Sequence, residues 1–156
     1  TLAAHLGVRF AFAHFINPIG GDAVSRQYRT TFTPSSLETR PTSMVCIFVV
    51  CAESNEEAEH LAASIDHRRV MMATGKETEI LPSEEAINWP YSERERQIIR
   101  QERNRIVLGT PESVKNQLSE LKSDFGADEL MILTITGDYG TRIKSYELIA
   151  EEFAIN

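Results

Sequence analysis

The stretch from Gly109 to Thr136 constrains the fold most, because it combines a capped helix, a tight turn and an apolar strand. Thr110 is a suitable N-cap, and Pro111 suits the first helical position. An apolar stripe at spacings of four, three and four predicts one buried helix face, formed by Val114, Leu118, Leu121 and Phe125. Gly126 predicts the left-handed end of that helix. The run Leu130–Leu133 does not alternate with polar residues, which is typical of a parallel strand buried on both faces.

Two more strand–helix units precede this one, so the sequence predicts an α/β fold. We expect strands over Arg9–Phe15 and Ser43–Ala52. The expected helices are Thr1–Leu6, Asp22–Phe32, one that begins after Ser54, a charged one from Ser92 to about Asn104, and Arg142–Phe153. Capping boxes at Ser54–Glu57 and Ser92–Glu95 support two of these helix starts. The alternating order predicts right-handed crossovers and parallel pairing. Three strands cannot close a barrel, so we expect another copy or an absent half to cover the sheet edges.

Composition and charge narrow the class of partner. The 156 residues fit one domain, and an excess of 23 acidic over 16 basic residues gives a net charge of -7. Nucleic acid and anionic membranes are therefore poor expected partners, and no apolar run approaches the roughly 20 residues that span a bilayer. Cys46 and Cys51 lie five residues apart on one expected strand, so their side chains should point to opposite faces. We therefore expect no disulfide and a reducing, cytoplasmic setting.

Four phrases carry a resemblance to a known family: LAAHLGVRFAFAHF, VVCAESNEEAEHLAAS, GTPESVKNQLSELKSDFGADELMILTITGD and RIKSYELIAEEF. In combination and in this order, they resemble the C-terminal half of the luciferase-like, flavin-dependent monooxygenases. The resemblance covers nearly the whole chain. It implies a partial (β/α)8 TIM barrel, with about three βα units that correspond to the sixth to eighth strands. It also implies that residues 73–105 form a lid-like insertion within the single domain 1–156.

The resemblance implies an FMN-dependent monooxygenase, which uses reduced flavin and O2 to oxidise a small organic substrate. The first five strands, and the serine-rich turn that holds the FMN phosphate in this family, have no counterpart in the sequence. We therefore expect this C-terminal portion to be inactive alone. Two alternatives stay open: a non-catalytic flavin-binding or assembly protein derived from the family, and a stable fragment of a longer enzyme.

Barrel enzymes carry their sites at the carboxyl ends of the strands, which selects the candidate cofactor-binding residues. These are His14, Phe15, Asn17, Thr136, Asp138 and Arg142. His14 could hydrogen-bond a flavin edge, or it could be a packed histidine. Arg142 could pair with a phosphate, but an Asp138 helix cap or an Asp138–Arg142 ion pair is the stronger interpretation. Cys51 and Glu53 end the second strand, where a cysteine is more often a small buried hydrophobe than a reactive group.

Other chemistries have less support in the sequence. His5, His14, His60 and His67 are scattered without a recognised metal spacing. No nucleophile elbow, Walker loop or dinucleotide-binding glycine motif is present. The arginines between residues 94 and 105 are nearly balanced by glutamates, which favours a solvated helix face over an anion site. We assign no metal and no catalytic residue.

Overall fold

The computed structural model describes residues 1–77 and 79–155. Strands and helices alternate along most of this chain. The elements are α1 (Leu2–Leu6), β1 (Phe10–Ala13), α2 (Gly21–Thr30), β2 (Ser43–Cys51), α3 (Asn55–Ala73), α4 (Ser83–Ile87), α5 (Glu93–Glu102), a 3₁₀ turn (Arg103–Arg105), β3 (Ile106–Gly109), α6 (Pro111–Phe125), β4 (Glu129–Leu133) and α7 (Tyr139–Glu152). The protein is thus mixed α/β with a parallel sheet, as the sequence predicts.

Strand β2 is the strand with which β1, β3 and β4 all pair. Its first half pairs in parallel with β1, from Phe10 opposite Ser43 to Ala13 opposite Cys46. Its second half pairs in parallel with β3, from Phe48 opposite Ile106 to Cys51 opposite Gly109. Nearly every β2 side chain is buried, so this strand has the double-sided burial that parallel sheets require.

The chain divides into two compact units. The first contains residues 1–47 and 117–133, and the second contains residues 48–116 together with the chain from 134 onward. Within the first unit, Val45, Phe125 and Ala127 form a buried cluster against which Phe12 and Leu121 pack. Apolar side chains of α6 therefore meet strand residues in this cluster, as the apolar stripe of the sequence predicts.

The second unit is built around α3, which is buried along most of its length. Ala58, Ala62 and Ile65 contact the β2 residue Val50 in one apolar cluster. Helices α4 and α5 also contact α3. Because neighbours surround it, α3 is apolar or small on several sides and lacks the single stripe of a surface helix.

Cap chemistry explains several of the boundaries. Gly7 adopts a left-handed conformation with φ of 61°, and Gly126 one with φ of 56°, so α1 and α6 end where glycine allows. Ser92 and Glu95 form the complete reciprocal capping box of α5. Ser54 caps α3, but the Glu57 carboxylate accepts from the Glu53 N–H instead. The second predicted box is therefore only half formed.

The structure differs from the sequence-based expectations at four strands and helices. Strand β3 was not predicted, because Ile106–Gly109 is a short apolar run between charged residues and a helix cap. Strand β4 was expected to be buried on both faces, yet Met131 is 47% exposed. Helix α4 lies within residues 73–105, where no helix is expected before Ser92. β1 is shorter than the expected strand over Arg9–Phe15.

None of the helices in residues 1–77 and 79–155 combines the length and apolar character that crossing a bilayer requires.

In the first unit, Asp128 joins three elements through one carboxylate. Its Oδ2 atom accepts from Arg29 Nη2 at 2.7 Å and from the Ser43 N–H at 2.8 Å. Burial raises the pKa of Asp128, but the bonds from Ser43 and Arg29 together outweigh burial and lower the pKa. The charged carboxylate is therefore the form that the fold favours.

We expect Asp128→Ala to reduce the free energy of unfolding by about 1.5–3 kcal/mol at neutral pH, because hydrogen bonds to a charged group are lost. The difference should shrink as the pH falls through the lowered pKa of Asp128, since the wild-type carboxyl is then protonated. Urea denaturation measures both effects. Asp124→Ala, at an exposed position of α6, is the control. Equal midpoints for the two variants would contradict this role.

Candidate functional site

In the first unit, His14, Phe15 and Asn17 follow strand β1 at its carboxyl end. His14 is buried, and its ring meets the edge of Phe125 with centroids 5.9 Å apart. The Phe15 N–H donates to the Cys46 carbonyl, which extends the pairing with β2 beyond β1. Asn17 is exposed, and its side-chain oxygen accepts from the Ile19 N–H at 3.1 Å. His14 and Phe15 therefore offer aromatic surface at this strand end, while Asn17 stabilises the following turn.

In the second unit, Thr136 and Asp138 lie in the loop between β4 and α7. The Thr136 hydroxyl donates to the Asp138 carbonyl at 2.8 Å, and Thr136 is buried. The Asp138 carboxylate caps α7 by accepting from the Thr141 N–H at 2.9 Å. Hydrogen bonds from the Thr141 side chain and backbone lower the pKa of Asp138. Asp138 is thus a charged helix cap, the interpretation that the sequence favours.

Arg142 lies one turn into α7 and contacts an aromatic ring. Its guanidinium carbon is 4.8 Å from the centre of the Tyr139 ring, a cation–π geometry. The structure thus places Arg142 beside Tyr139, not in the Asp138–Arg142 ion pair that the sequence suggests as an alternative. Because the guanidinium plane is only partly buried, its remaining donors can still reach an anion.

Cys51 and Glu53 end β2, and both face partners on α7. The Cys51 N–H donates to the Ser145 hydroxyl at 2.9 Å, and the Glu53 carboxylate lies 3.4 Å from Lys144 Nζ. Both cysteines of the chain are free and buried. Burial raises the pKa of the Cys51 thiol to about 11, so the thiol is neutral near pH 7. Cys51 therefore acts as a packed apolar residue.

The backbone at Gly137, in the loop that follows β4, closely approaches other residues of the second unit. A Cβ built on Gly137 would lie 2.7 Å from the Pro82 Cα atom and 2.8 Å from the Ser64 hydroxyl. Ser64 and Ser83 share a buried hydrogen bond of 3.1 Å. The 73–105 segment therefore runs directly against the loop that follows β4. Only a residue without a side chain fits between them.

The second unit also contains a cleft of roughly 650 Å³ formed by α3, α4 and α5. Arg103 crosses it, with Nη2 at 2.7 Å from Asp66 Oδ2 and 3.0 Å from Glu59 Oε2. Burial raises the pKa of Asp66, and the nearby Arg103 partly counters this. The sequence gives no signal for this site, because residues 66 and 103 lie far apart in the chain and their helices meet only in the fold.

Within the residues that the structure describes, no group of three or more histidine, cysteine, aspartate or glutamate side chains could hold a metal ion.

No protein-family model matches the chain. Curated relatives do match it: the uncharacterized protein YwcH of Bacillus subtilis (strain 168) is 40% identical over 154 residues, which are 98% of this chain and 46% of that protein. A protein named luciferase-like monooxygenase from Escherichia coli (strain K12) is 31% identical over 94% of this chain and 44% of its own length. The chain belongs to the luciferase-like monooxygenase family. It spans about half the length of the curated relatives that it matches.

A solved structure supports the same assignment for the fold. The crystal structure of apo-MsnO8 superposes on this chain with a TM-score of 0.89 at 29% identity, covering 99% of this chain and 47% of MsnO8. The family fold is a barrel, so the described elements correspond to part of a barrel. In such barrels the carboxyl ends of the strands carry the site. The residues that follow β1, β2 and β4 are therefore the candidate site residues of this chain.

Gly137→Ala should displace residues 81–83, because the new methyl group would overlap the Pro82 backbone. We expect a destabilisation of about 1–3 kcal/mol, the usual cost of overpacking. Hydrogen exchange should increase around Ser83 more than elsewhere. Gly140→Ala is the matched control, since it lies in α7 and its Cβ would meet only the Asp138 carboxylate at 3.2 Å. If both variants exchange alike, the contact with Pro82 does not hold the segment.

Proposed function

We propose that the chain forms part of an FMN-dependent monooxygenase that acts on a small organic substrate. The observation that carries the proposal is the 31% identity, over 94% of the chain, to a protein named luciferase-like monooxygenase. When bound, reduced flavin would supply the two electrons that reduce one atom of O2 to water while the other atom enters the substrate. In this proposal the chain supplies shape, hydrogen bonds and shelter from water.

The strand-end residues divide into those that fit a flavin and those that do not. His14 and Phe15 fit a flat aromatic ring system, because His14 is buried against the Phe125 ring and the half-buried Phe15 follows it in the chain. In the second unit, Thr136 is buried, and its hydroxyl already donates to the Asp138 carbonyl. Asp138 fits poorly as a phosphate ligand, because its carboxylate already caps α7 and would repel an anion there.

Arg142 is the remaining candidate for the phosphate, and its contact with Tyr139 would orient it. The Asn17 side-chain oxygen already accepts from the Ile19 N–H in the turn after β1. Asn17 would therefore contribute to cofactor binding by shaping the backbone of this turn. We therefore propose that His14 and Phe15, in the first unit, contact the flavin ring. The phosphate would rely on Arg142 and on parts of the parent protein that this chain does not span. The free, buried cysteines also support our expectation of a reducing, cytoplasmic setting.

An FMN titration followed by flavin fluorescence tests the proposal. Saturable micromolar binding is expected if the ring site is complete in this chain, and His14→Leu should weaken it roughly tenfold, equivalent to about 1.4 kcal/mol. His5→Leu, at an exposed position of α1, is the control. Riboflavin should bind within a few-fold of FMN if the phosphate is held elsewhere.

The absence of any saturable binding would favour the second candidate, a protein of this family that only assembles with other chains. Equal weakening by His14→Leu and His5→Leu would exclude His14 from the site.

We further propose that the apolar side of β4 is covered in the working protein by the rest of the barrel or by a second copy. The supporting observation is that Met131 lies within an apolar strand and is 47% exposed. In the first unit, the Met131 sulfur lies 3.8 Å from Cys46 Sγ. One side of the Met131 side chain is therefore packed, while the other side is open.

Light scattering after size-exclusion chromatography should therefore give a mass of at least twice 17.6 kDa for the isolated chain. Met131→Lys should shift the equilibrium toward the monomer, because a charge would be buried in the contact. Met72→Lys, at an exposed position of α3, should not. A monomeric wild-type chain at high concentration would contradict coverage by a second copy.

A further inference from the structure

The loop of residues 88–92, which we call the strap, joins α4 to α5 and closes over His67 of α3. His67 is only 1% exposed. Its ring centre lies 4.6 Å from that of Trp89 in an edge-on arrangement and 6.4 Å from that of Tyr91. Two aromatic rings of the strap therefore cover one imidazole in the middle of a buried helix.

Closing the strap leaves several polar atoms without partners. Within the described part of the chain, neither ring nitrogen of His67 has a hydrogen-bond partner, and the same holds for Asp66 Oδ1 and the Tyr91 hydroxyl. Water would satisfy these atoms if the strap were open. When the strap closes, these atoms lose their hydrogen bonds to water, and the rings of the strap gain contact with His67. Each polar group left unpaired costs free energy.

The charged groups on the surrounding elements are already engaged with partners other than His67. These groups are Asp66 with Arg103, Arg69 with Glu102, Glu84 with His60, and Glu95 with Ser92. Tyr91 is also titratable, but burial raises its pKa to about 12, so it stays neutral. Burial is the cause that lowers the pKa of His67. A proton on His67 would therefore have no counter-ion in the closed strap.

We propose that His67 is a proton-operated latch: the strap stays closed over the neutral imidazole and is released when His67 takes up a proton. In the open strap the imidazolium is solvated, so His67 titrates there near its ordinary value of 6.5. In the closed strap it titrates lower. The closed strap is therefore fully stabilised above pH 6.5. As the pH falls through the interval between the two pKa values of His67, the ratio of closed to open strap decreases by up to about tenfold per pH unit.

Release is expected to be local, because α4 is held to α3 by contacts that do not involve His67. His60 Nε2 of α3 lies 3.6 Å from Glu84 Oε1 at the start of α4. Ser83 is also held by its buried hydrogen bond with Ser64. Since Tyr91 lines the cleft between α3, α4 and α5, opening of the strap would widen that cleft while α4 stays in place.

Trp89 makes the latch measurable, because it is the single tryptophan of the chain. The test is acrylamide quenching of its fluorescence, from about pH 7.5 to about pH 5, a range that brackets the ordinary histidine value. We expect the quenching constant to rise at least twofold as the pH falls in the wild type and in the His60→Gln control. In His67→Gln we expect no change with pH, whether its strap is open or closed.

Hydrogen exchange, corrected for the intrinsic effect of pH, keeps the test decisive if His67→Gln fails to fold. The wild type and His60→Gln should then show faster exchange at low pH in residues 88–92, with residues 83–87 unchanged in the wild type. A flat quenching constant in the wild type would overturn the proposal, and so would the same rise in a folded His67→Gln variant. Uniformly faster exchange along the chain would equally overturn it, since that result indicates general acid unfolding.

Discussion

The fold depends on the burial of β2, because every other strand in the described chain pairs with this one strand. A strand enclosed on both faces and both edges must satisfy each backbone N–H and C=O within the protein. β1 meets that demand along the first half of β2, and β3 meets it along the second half. The Cys51 N–H at the strand end is satisfied by the Ser145 hydroxyl, and the Ala52 N–H by the Gly109 carbonyl. A fully buried serine on α7 is therefore a requirement of the strand.

Burial of α3 in the second unit imposes a second requirement, which concerns charge. Asp66 and Arg69 lie on faces of α3 that α5 and the 3₁₀ turn cover, and both residues are buried. A buried charge is tolerated only with a partner, and Arg103 donates two nitrogens to Asp66 while Glu102 accepts from Arg69. These pairs fix where α5 docks on α3. The arginines of this segment are thus only partly the solvated face that the sequence suggests, because Arg103 is mostly covered.

Short-range chemistry made much of this fold predictable from the sequence. The left-handed Gly126 and the Ser92–Glu95 capping box act through neighbours in the chain, so both could be predicted from the sequence. Strand β3 could not be predicted, because a run of four residues is too short to show the periodicity that distinguishes a strand from the end of a helix. The exposure of Met131 could not either, since hydrophobicity predicts that a strand is covered and not which part of a protein covers it.

The candidate site shows the same limit more strongly. The sequence predicts that His14, Cys51 and Asp138 lie at or after strand ends. Their contacts in the structure decide what each side chain can do. Asp138 is engaged in capping α7, and Cys51 is held neutral by burial, so a polar or nucleophilic residue at the right position is not yet a functional one. Contacts such as Gly137 with Pro82, or His67 with Trp89, join residues far apart in the chain, and no local pattern announces them.

These long-range contacts share one consequence for function. Both join the 73–105 segment to other parts of the second unit, at Gly137 through backbone contact and at His67 through aromatic rings. The first contact, between Gly137 and Pro82, involves no titratable group, so it does not respond to protonation. The second places a titratable group beneath a loop with unpaired polar atoms, so its stability depends on protonation. Opening of the strap alone would therefore change the shape of the cleft while the rest of the segment stays docked on α3. The lid-like insertion over residues 73–105 stays a prediction, and the strap is the part of it that we propose to move.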